Sequence, residues 1–239
     1  MAQKIKIMSK YIPNKYKKYA GKSITRNSFK KGILLYMALL AGVLFTQSFG
    51  EKKGSQLIFL NIQTICIFIF LFQNIINYFL IERFKKYKKY FSIGLYTSAI
   101  LSVFLMMAYI SLLVPHSVAI FAFSILILVG LCMIIETTYI AIIVYSIKKE
   151  NMNLRDATAQ FLLNGVSILG VICILLSEIL NKLEFGILGF VFMGGMILFL
   201  ATFHFPRVLQ YWKKPSEKDE NISVYKNAIN KMEKGKKKK

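Results

Sequence analysis

The stretch Ser117–Ser146 reads SVAIFAFSILILVGLCMIIETTYIAIIVYS and contains a single charged residue, Glu136. About 20 helical residues, rising 1.5 Å each, cross the ~30 Å hydrocarbon core of a bilayer, and this stretch exceeds that length. Across all 239 residues, 56% are hydrophobic and the mean hydropathy is +0.52. The sequence therefore predicts an integral membrane protein and excludes an ordinary soluble enzyme.

Five further apolar blocks meet the same length criterion. The predicted spans are Gly32–Phe49, Gln56–Ile81, Phe91–Val114, Ser117–Ser146, Ala157–Leu180 and Phe185–Phe205. Pro115 separates the third span from the fourth, because proline lacks the amide donor that a continuing helix needs. Only Asn181–Glu184 connects the last two spans, so they are expected to form an antiparallel hairpin. We predict an all-α polytopic protein with six transmembrane helices.

Basic residues are distributed very unevenly between the two sides of this layout. The chain has 32 Lys and Arg against 11 Asp and Glu, a net charge of +21. Of the 32, all but Lys52, Lys53 and Lys182 lie before the first span, after the sixth, or in the loops after the second and fourth. None lies within a predicted span. By the positive-inside rule both termini are cytoplasmic.

This charge also predicts the partners and the location of the protein. The basic flanks are expected to face the anionic lipids of the inner leaflet of the cell membrane, with no nucleic acid bound. The Lys-, Ile-, Phe- and Asn-rich composition suggests a bacterial protein, so we expect it in the bacterial cytoplasmic membrane. Three regions follow: residues 1–31 as a basic cytoplasmic or interfacial segment, 32–205 as the transmembrane domain, and 206–239 as a basic cytoplasmic tail. The segment Tyr11–Lys31 interleaves aromatic and basic residues, which is typical of the headgroup region.

Polar residues inside the spans are the candidate functional groups. Glu136 lies about 28 Å from Ser117 by the helical rise, near the inner boundary of the membrane core. Two interpretations stand: a carboxylate turned toward protein or water, or one reaching the inner interface. On the second span, the side-chain amides lie within about a third of the helix circumference. They either line a substrate pathway or form hydrogen bonds with neighbouring helices. The candidate bundle- or substrate-lining residues are Gln63, Gln73, Asn74, Asn77 and Glu136.

Small residues on two spans predict close helix packing. They recur at helical spacing on the third span and cluster on the sixth: Gly94, Ser98, Ser102, Gly189, Gly194 and Gly195. Without side-chain bulk, backbones approach closely, within the chain or between subunits.

The sequence carries no sign of catalysis. His116 and His204 belong to opposite membrane surfaces, and neither a catalytic triad nor a pair of carboxylates nor a metal-ligand spacing is present. We expect no enzymatic activity, no bound metal and no cofactor.

The layout resembles that of permease subunits of ABC-2-type exporters. The resemblance lies in six spans with cytoplasmic termini, a basic segment before the first span, and Glu82-Arg83 at the junction of the second span with a basic loop. It implies that the Glu82–Tyr90 loop docks a separate ATPase subunit, and that a second permease copy is present. The candidate docking residues are Glu82, Arg83, Phe84 and Tyr87. Two connections are shorter than is usual in that family, those after the first span and before the sixth.

A function from another class fits the same layout. A non-transporting accessory or immunity protein, which binds a membrane-active peptide or stabilises a larger membrane complex, also needs only short outer loops. The presence or absence of an ATPase partner separates the two hypotheses.

Overall fold

The computed structural model describes residues 10–20, 23–48, 53–209 and 211–212. Within these ranges the chain is helical and has no strand. The helices are α1 (Asn14–Ala20), α2 (Arg26–Ser48), α3 (Ser55–Arg83), α4 (Lys88–Ser111), α5 (Ser117–Lys148), α6 (Met152–Leu180) and α7 (Leu183–Leu209), with a 3-10 turn at Lys85–Tyr87. Helices α2 to α7 are each long and apolar enough to cross a membrane, which confirms the six predicted spans. The basic tail beyond Trp212 lies outside the described residues.

Several predicted boundaries are wrong, because the helices continue into their basic flanks. Helix α2 begins at Arg26 rather than Gly32, and α6 begins at Met152 rather than Ala157. Basic residues therefore do lie inside the six long helices, contrary to expectation: Arg26, Lys30, Lys31, Arg83, Lys88, Lys89, Lys148, Arg155 and Arg207. Hydropathy marks only the part of a helix that suits lipid, whereas backbone hydrogen bonding continues into the polar region beyond it.

Short connections turn the chain between neighbouring helices. His116, immediately before α5, and Asn181, immediately after α6, adopt left-handed backbone conformations, with φ of 57° and 51°. The amide of Asn181 donates to the carbonyl of Ser177 and closes the end of α6. At the start of α6, the Asn151 side chain accepts from the Asn153 amide at 3.1 Å. Such caps satisfy backbone groups that a helix end leaves unpaired.

The six long helices pack as two joined groups. Helices α2, α3 and α4 pack together around a core that includes Tyr36, Leu60 and Ile67, and α5, α6 and α7 pack around a second core. Helix α7 contacts α4, α5 and α6, so it joins the two groups. Val103 and Val191 lie in the cluster at this seam.

The outer surface of the bundle is apolar. Large side chains point away from the protein, among them Phe161 at 74% exposure and Ile179 at 73%. Serines and amides, in contrast, are buried between helices. This distribution suits a lipid environment, where apolar side chains face the hydrocarbon chains and polar groups need hydrogen-bond partners inside the protein. The chain is a multi-pass membrane protein.

Because consecutive helices alternate in direction, the connections fall at two ends of the bundle. The "basic end" comprises α1, the α3–α4 and α5–α6 connections and the end of α7. The "opposite end" comprises the other three connections. The candidate site lies at the basic end.

Candidate functional site

The N-terminal segment, Lys10–Ala20, docks on α5, α6 and α7 at the basic end. The Tyr11 hydroxyl donates to Glu136 Oε2 at 2.5 Å and lies 3.0 Å from Thr202 Oγ1. The Tyr139 hydroxyl donates to the main-chain carbonyl of Tyr11 at 2.6 Å. Residue 11 is therefore held through both its side chain and its backbone.

Glu136 faces protein at this point of α5. Its Oε2 atom accepts from the Tyr11 hydroxyl, while Oε1 is buried and has no hydrogen-bond partner in the part of the chain that the structure describes. An acid in a membrane helix costs roughly 2.5 kcal/mol or more near the centre, and a hydrogen bond to a charged group returns about 1.5–3 kcal/mol. The Tyr11 hydroxyl thus offsets a cost that the sequence of α5 imposes.

Aromatic rings surround this hydrogen bond. The Tyr11 ring lies 5.3 Å from that of Tyr139 and 5.9 Å from that of Phe203, and the Tyr16 ring stacks on Phe203 at 5.1 Å. Phe199 completes the group, 4.8 Å from Phe203. Burial, reinforced by the hydrogen bond to Glu136, raises the pKa of Tyr11 far above its usual value. The hydroxyl therefore stays protonated and keeps its role as the donor to the carboxylate.

Arg155 holds the N-terminal segment from a second side. It is 1% exposed, and its Nη1 donates to the Lys10 carbonyl at 2.8 Å. Its Nε and Nη2 donate to Asp156 Oδ1 at 2.8 and 2.5 Å, so the guanidinium is paired. The main-chain N–H of Asn14 also donates to Asp156 Oδ1, at 3.3 Å. Burial and the Arg155 charge lower the pKa of Lys17, which lies beside this pair.

Arg155, Tyr11 and Thr202 are site residues that are absent from the candidates predicted from the sequence. The apolar pattern places Arg155 in a loop, yet it shares the buried face of α6 with Ala159, Leu163 and Val166. These residues follow one another at intervals of four, four and three, the spacing of one helix face. That spacing was a usable signal for Arg155. No comparable pattern marks Tyr11, which lies 125 residues from Glu136 in the chain.

The amides of α3 lie away from this site and join α3 to its neighbours. Gln63 Nε2 donates to the Leu105 carbonyl at 3.0 Å, and Asn74 Nδ2 donates to Ser98 Oγ at 2.8 Å. Asn74 also lies against Gly32 of α2, where an added Cβ would be 2.6 Å from its Oδ1. These contacts are hydrogen bonds between helices, the second of the two interpretations of the α3 amides.

Gln73 and Asn77 face α4 at Gly94. A Cβ added to Gly94 would lie 2.9 Å from Gln73 Nε2 and 3.3 Å from Asn77 Nδ2. The glycine therefore leaves room for the two amides. All four α3 amides lie in the α2–α4 group, whereas Glu136 lies in the α5–α7 group.

Replacing Asn74 by leucine is expected to lower the free energy of unfolding by about 1 kcal/mol, because a hydrogen bond between membrane helices contributes roughly 0.6–1.7 kcal/mol. The measurement is unfolding in mixed detergent micelles, followed by Trp212 fluorescence. Thr137→Val is the control, since the exposed Thr137 hydroxyl donates only to Met133 of its own helix. Equal stability of both variants would show that the Asn74–Ser98 contact is not stabilising.

The predicted small residues make contacts within the chain. An added Cβ at Gly189 would meet the Gly170 carbonyl oxygen at 2.7 Å, and one at Gly195 would meet Leu131 Cδ2 at 2.6 Å. Gly194 faces Val103, where the corresponding distance is 3.2 Å. The Ser98 carbonyl accepts from the Tyr36 hydroxyl, and the Ser102 hydroxyl donates to the Ala99 carbonyl. These residues allow α6 and α7, and α4 and α7, to approach closely.

The predicted docking loop is largely helical rather than an open loop. Glu82 and Arg83 form the last turn of α3, a 3-10 turn follows, and α4 begins at Lys88. Glu82 Oε2 lies 3.6 Å from Arg26 Nη1, an exposed ion pair that contributes little to stability. Arg83 is exposed beside it.

Exposed aromatic rings line up along this connection. We call Phe84, Tyr87, Tyr90 and Trp212 the aromatic row, because successive ring centroids are 6.3, 6.3 and 6.2 Å apart. Each ring is 44–54% exposed. Lys89 Nζ lies 4.8 Å from the Tyr90 ring centroid and 5.2 Å from that of Trp212. The row is a basic, aromatic surface of the kind that anchors interfaces.

Two cavities between helices lie elsewhere in the bundle. A groove of about 510 Å³ runs between α5 and α7 near the opposite end and includes Phe123, Ile127 and Leu188 in its lining, with Glu184. A smaller cavity of about 190 Å³ lies between α3 and α4, beside Gln63. Glu136 lines neither of them. In the described ranges, no three His, Cys, Asp or Glu side chains are grouped so as to hold a metal ion.

The basic end thus combines an acid on a membrane helix, an aromatic wall and a segment of the same chain that covers both. No protein-family model, curated protein or solved structure matches the chain.

Proposed function

We propose that the chain is the permease subunit of an ATP-driven exporter of the bacterial cytoplasmic membrane. Both termini and the basic end lie in the cytoplasm in this proposal, and a separate ATPase subunit binds there. The excess of Lys and Arg at the basic end supports the orientation. The six membrane-spanning helices and the lack of any nucleotide motif support a division into permease and ATPase. The exported substrate is a peptide, a lipid or an antibiotic-like molecule.

The aromatic row is the observation that carries this proposal. Its rings are half exposed at the junction of α3 and α4, with Lys85, Lys86, Lys88 and Lys89 in the same short stretch. Orientation in the membrane requires the positive charges but not the rings. Tyr and Trp are among the residues that most often anchor protein interfaces. The competing interpretation is an interfacial belt, in which the rings lie among lipid headgroups.

The fold supplies a route from the row into the bundle. Helices α3 and α4 leave this junction and extend for 29 and 24 residues through the α2–α4 group. Movement of an ATPase against Phe84, Tyr87 and Tyr90 would therefore act on the α2–α4 group, whereas Trp212, which follows α7, connects the row to the α5–α7 group. The two described cavities lie at the sides of the bundle, so the proposal includes a second permease copy with which a transport pathway is formed.

Replacing Phe84 and Tyr87 together by serine, with every lysine retained, is expected to weaken ATPase binding at least about tenfold. Truncating an anchoring aromatic residue typically costs an interface 2 kcal/mol or so. The measurement is the amount of nucleotide-binding subunit that co-purifies with the tagged chain in mild detergent. Recovery of none with the unmodified protein would contradict the permease proposal directly.

A matched variant and an orientation test serve as controls. Tyr87→Phe retains the ring and should retain the ATPase. Ser55→Cys, placed in a background without Cys66, Cys132 and Cys173, should react with an impermeant maleimide in intact cells whether or not the row is altered. Loss of that labelling in the double-serine variant would mean that orientation, not docking, had changed.

The groove between α5 and α7 favours one second candidate, the accessory or immunity protein. Its volume of about 510 Å³ and its apolar lining suit the hydrophobic side of a membrane-active peptide. This function needs no ATPase. Co-purification of an unrelated membrane complex, without a nucleotide-binding subunit, would support it over the exporter.

A further inference from the structure

The surroundings of Glu136 have the composition of a site for an organic cation. The carboxylate is hydrogen-bonded by Tyr11, and the Tyr11 ring packs against the buried rings of Tyr139 and Phe203. The Glu136 Oε1 atom is buried and has no hydrogen-bond partner among the described residues. A carboxylate next to aromatic faces attracts ammonium and related cations, through charge and through the ring quadrupoles.

The local charge balance points the same way. Within the ranges that the structure describes, no Lys or Arg forms an ion pair with Glu136, and the nearby guanidinium of Arg155 is neutralised by Asp156. The acid therefore has a neutral hydroxyl, that of Tyr11, where a positive charge would bind more strongly.

We propose that Glu136 and these rings bind an organic cation with apolar substituents, and that Tyr11 occupies the site as a competitor built into the chain. In the structure, the Tyr11 ring packs against Tyr139 and Phe203, and its hydroxyl takes the carboxylate oxygen. A cation enters when the N-terminal segment withdraws. This site is independent of the exporter proposal, because it needs only the single chain.

The N-terminal segment is suited to such an exchange. Its hydrogen bonds from Tyr139 and Arg155 go to main-chain carbonyls of Tyr11 and Lys10, which water can replace at the membrane surface. Helix α1 has only 7 residues, too few to be stable without the contacts it makes with α7. Because the segment competes with the cation, the apparent affinity of the protein for the cation equals the affinity of the open site multiplied by the fraction of molecules in which the site is open.

Binding of radiolabelled tetraphenylphosphonium to the purified full chain in detergent tests the proposal. Tyr11→Ala is expected to bind this cation at least about tenfold more tightly than the unmodified chain, because the competitor is removed. Tyr11→Phe, which loses only the hydroxyl, should change the affinity in the same direction by less. Adding Glu136→Gln to Tyr11→Ala should reverse the gain. Glu178→Gln, an exposed acid near the opposite end of the bundle, is the matched control and should leave binding unchanged.

A second measurement keeps Tyr11 and Glu136 intact and so does not depend on the stability of those variants. Lys15 Nζ lies 3.4 Å from Gln160 Oε1, which places the segment against α6. Lys15→Cys with Gln160→Cys, in the cysteine-free background, should be joined by a short bis-maleimide, and saturating tetraphenylphosphonium should reduce the yield severalfold. Equal binding by the unmodified chain and Tyr11→Ala, binding that survives Glu136→Gln, or an unchanged cross-linking yield would each overturn the proposal.

Discussion

Replacing Arg155 by methionine is expected to lower the free energy of unfolding by about 3 kcal/mol. The guanidinium is almost fully buried and donates to Asp156 and to the Lys10 carbonyl, and methionine fills similar space without a donor. Removing one partner of a buried pair leaves the other charge uncompensated, at a cost of roughly 3–5 kcal/mol. We expect a cost at the lower end of this range, because the Asp156 side chain is 27% exposed and water can reach it.

Unfolding in mixed detergent micelles measures this effect, and two variants check its cause. Arg83→Met removes an arginine that is exposed at the end of α3, so its effect should stay within about 0.5 kcal/mol. Arg155→Met combined with Asp156→Asn should be less destabilising than Arg155→Met alone, since the stranded carboxylate is gone. Equal losses from Arg155→Met and Arg83→Met would show that the buried pair does not hold the segment.

Replacing Gly189 by alanine is expected to cost about 2 kcal/mol, since inserting a methyl group into a packed contact costs roughly 1–3 kcal/mol. The new Cβ would lie 2.7 Å from the Gly170 carbonyl oxygen and 2.7 Å from Ile174 Cγ1. A backbone oxygen cannot rotate away as a flexible side chain can, so α6 and α7 have to separate. This helix pair carries both Arg155 and Thr202, and its separation should also loosen the N-terminal segment.

Gly165 offers a control on the same helix pair. A Cβ added there meets nothing within 4 Å, so Gly165→Ala should be neutral or stabilise the protein by up to about 1 kcal/mol through helix propensity alone. Both variants are measured by the same unfolding assay. A Gly189→Ala protein as stable as Gly165→Ala would show that the two helices adjust without cost, and that the close approach is not required.

The N-terminal segment links the stability of the helical bundle to the proposed cation site at Glu136. Its contacts fall on α5, α6 and α7, through Glu136, Arg155 and Phe203. Its withdrawal for a cation would also remove the partners of Tyr139 and Arg155. The same contacts that stabilise the closed arrangement therefore determine how readily the Glu136 site opens.

The sequence by itself determined the number and approximate position of the membrane helices, and the polar groups on them. Hydropathy is a local property of about 20 consecutive residues, so six blocks with few charges suffice to predict six helices. Helix boundaries were less accurate, as at Arg26 and Met152, because helical hydrogen bonding continues beyond the apolar block. The amides of α3 were found from their spacing on one helix face.

Only the tertiary structure decided which of these groups meet. Tyr11 and Glu136 are 125 residues apart, and Arg155 reaches a carbonyl 145 residues away. Such contacts depend on how α1, α5, α6 and α7 pack, which no local pattern encodes. The physical reason is that a hydrogen bond is directional and acts over about 3 Å, so it requires a geometry that only the assembled bundle supplies.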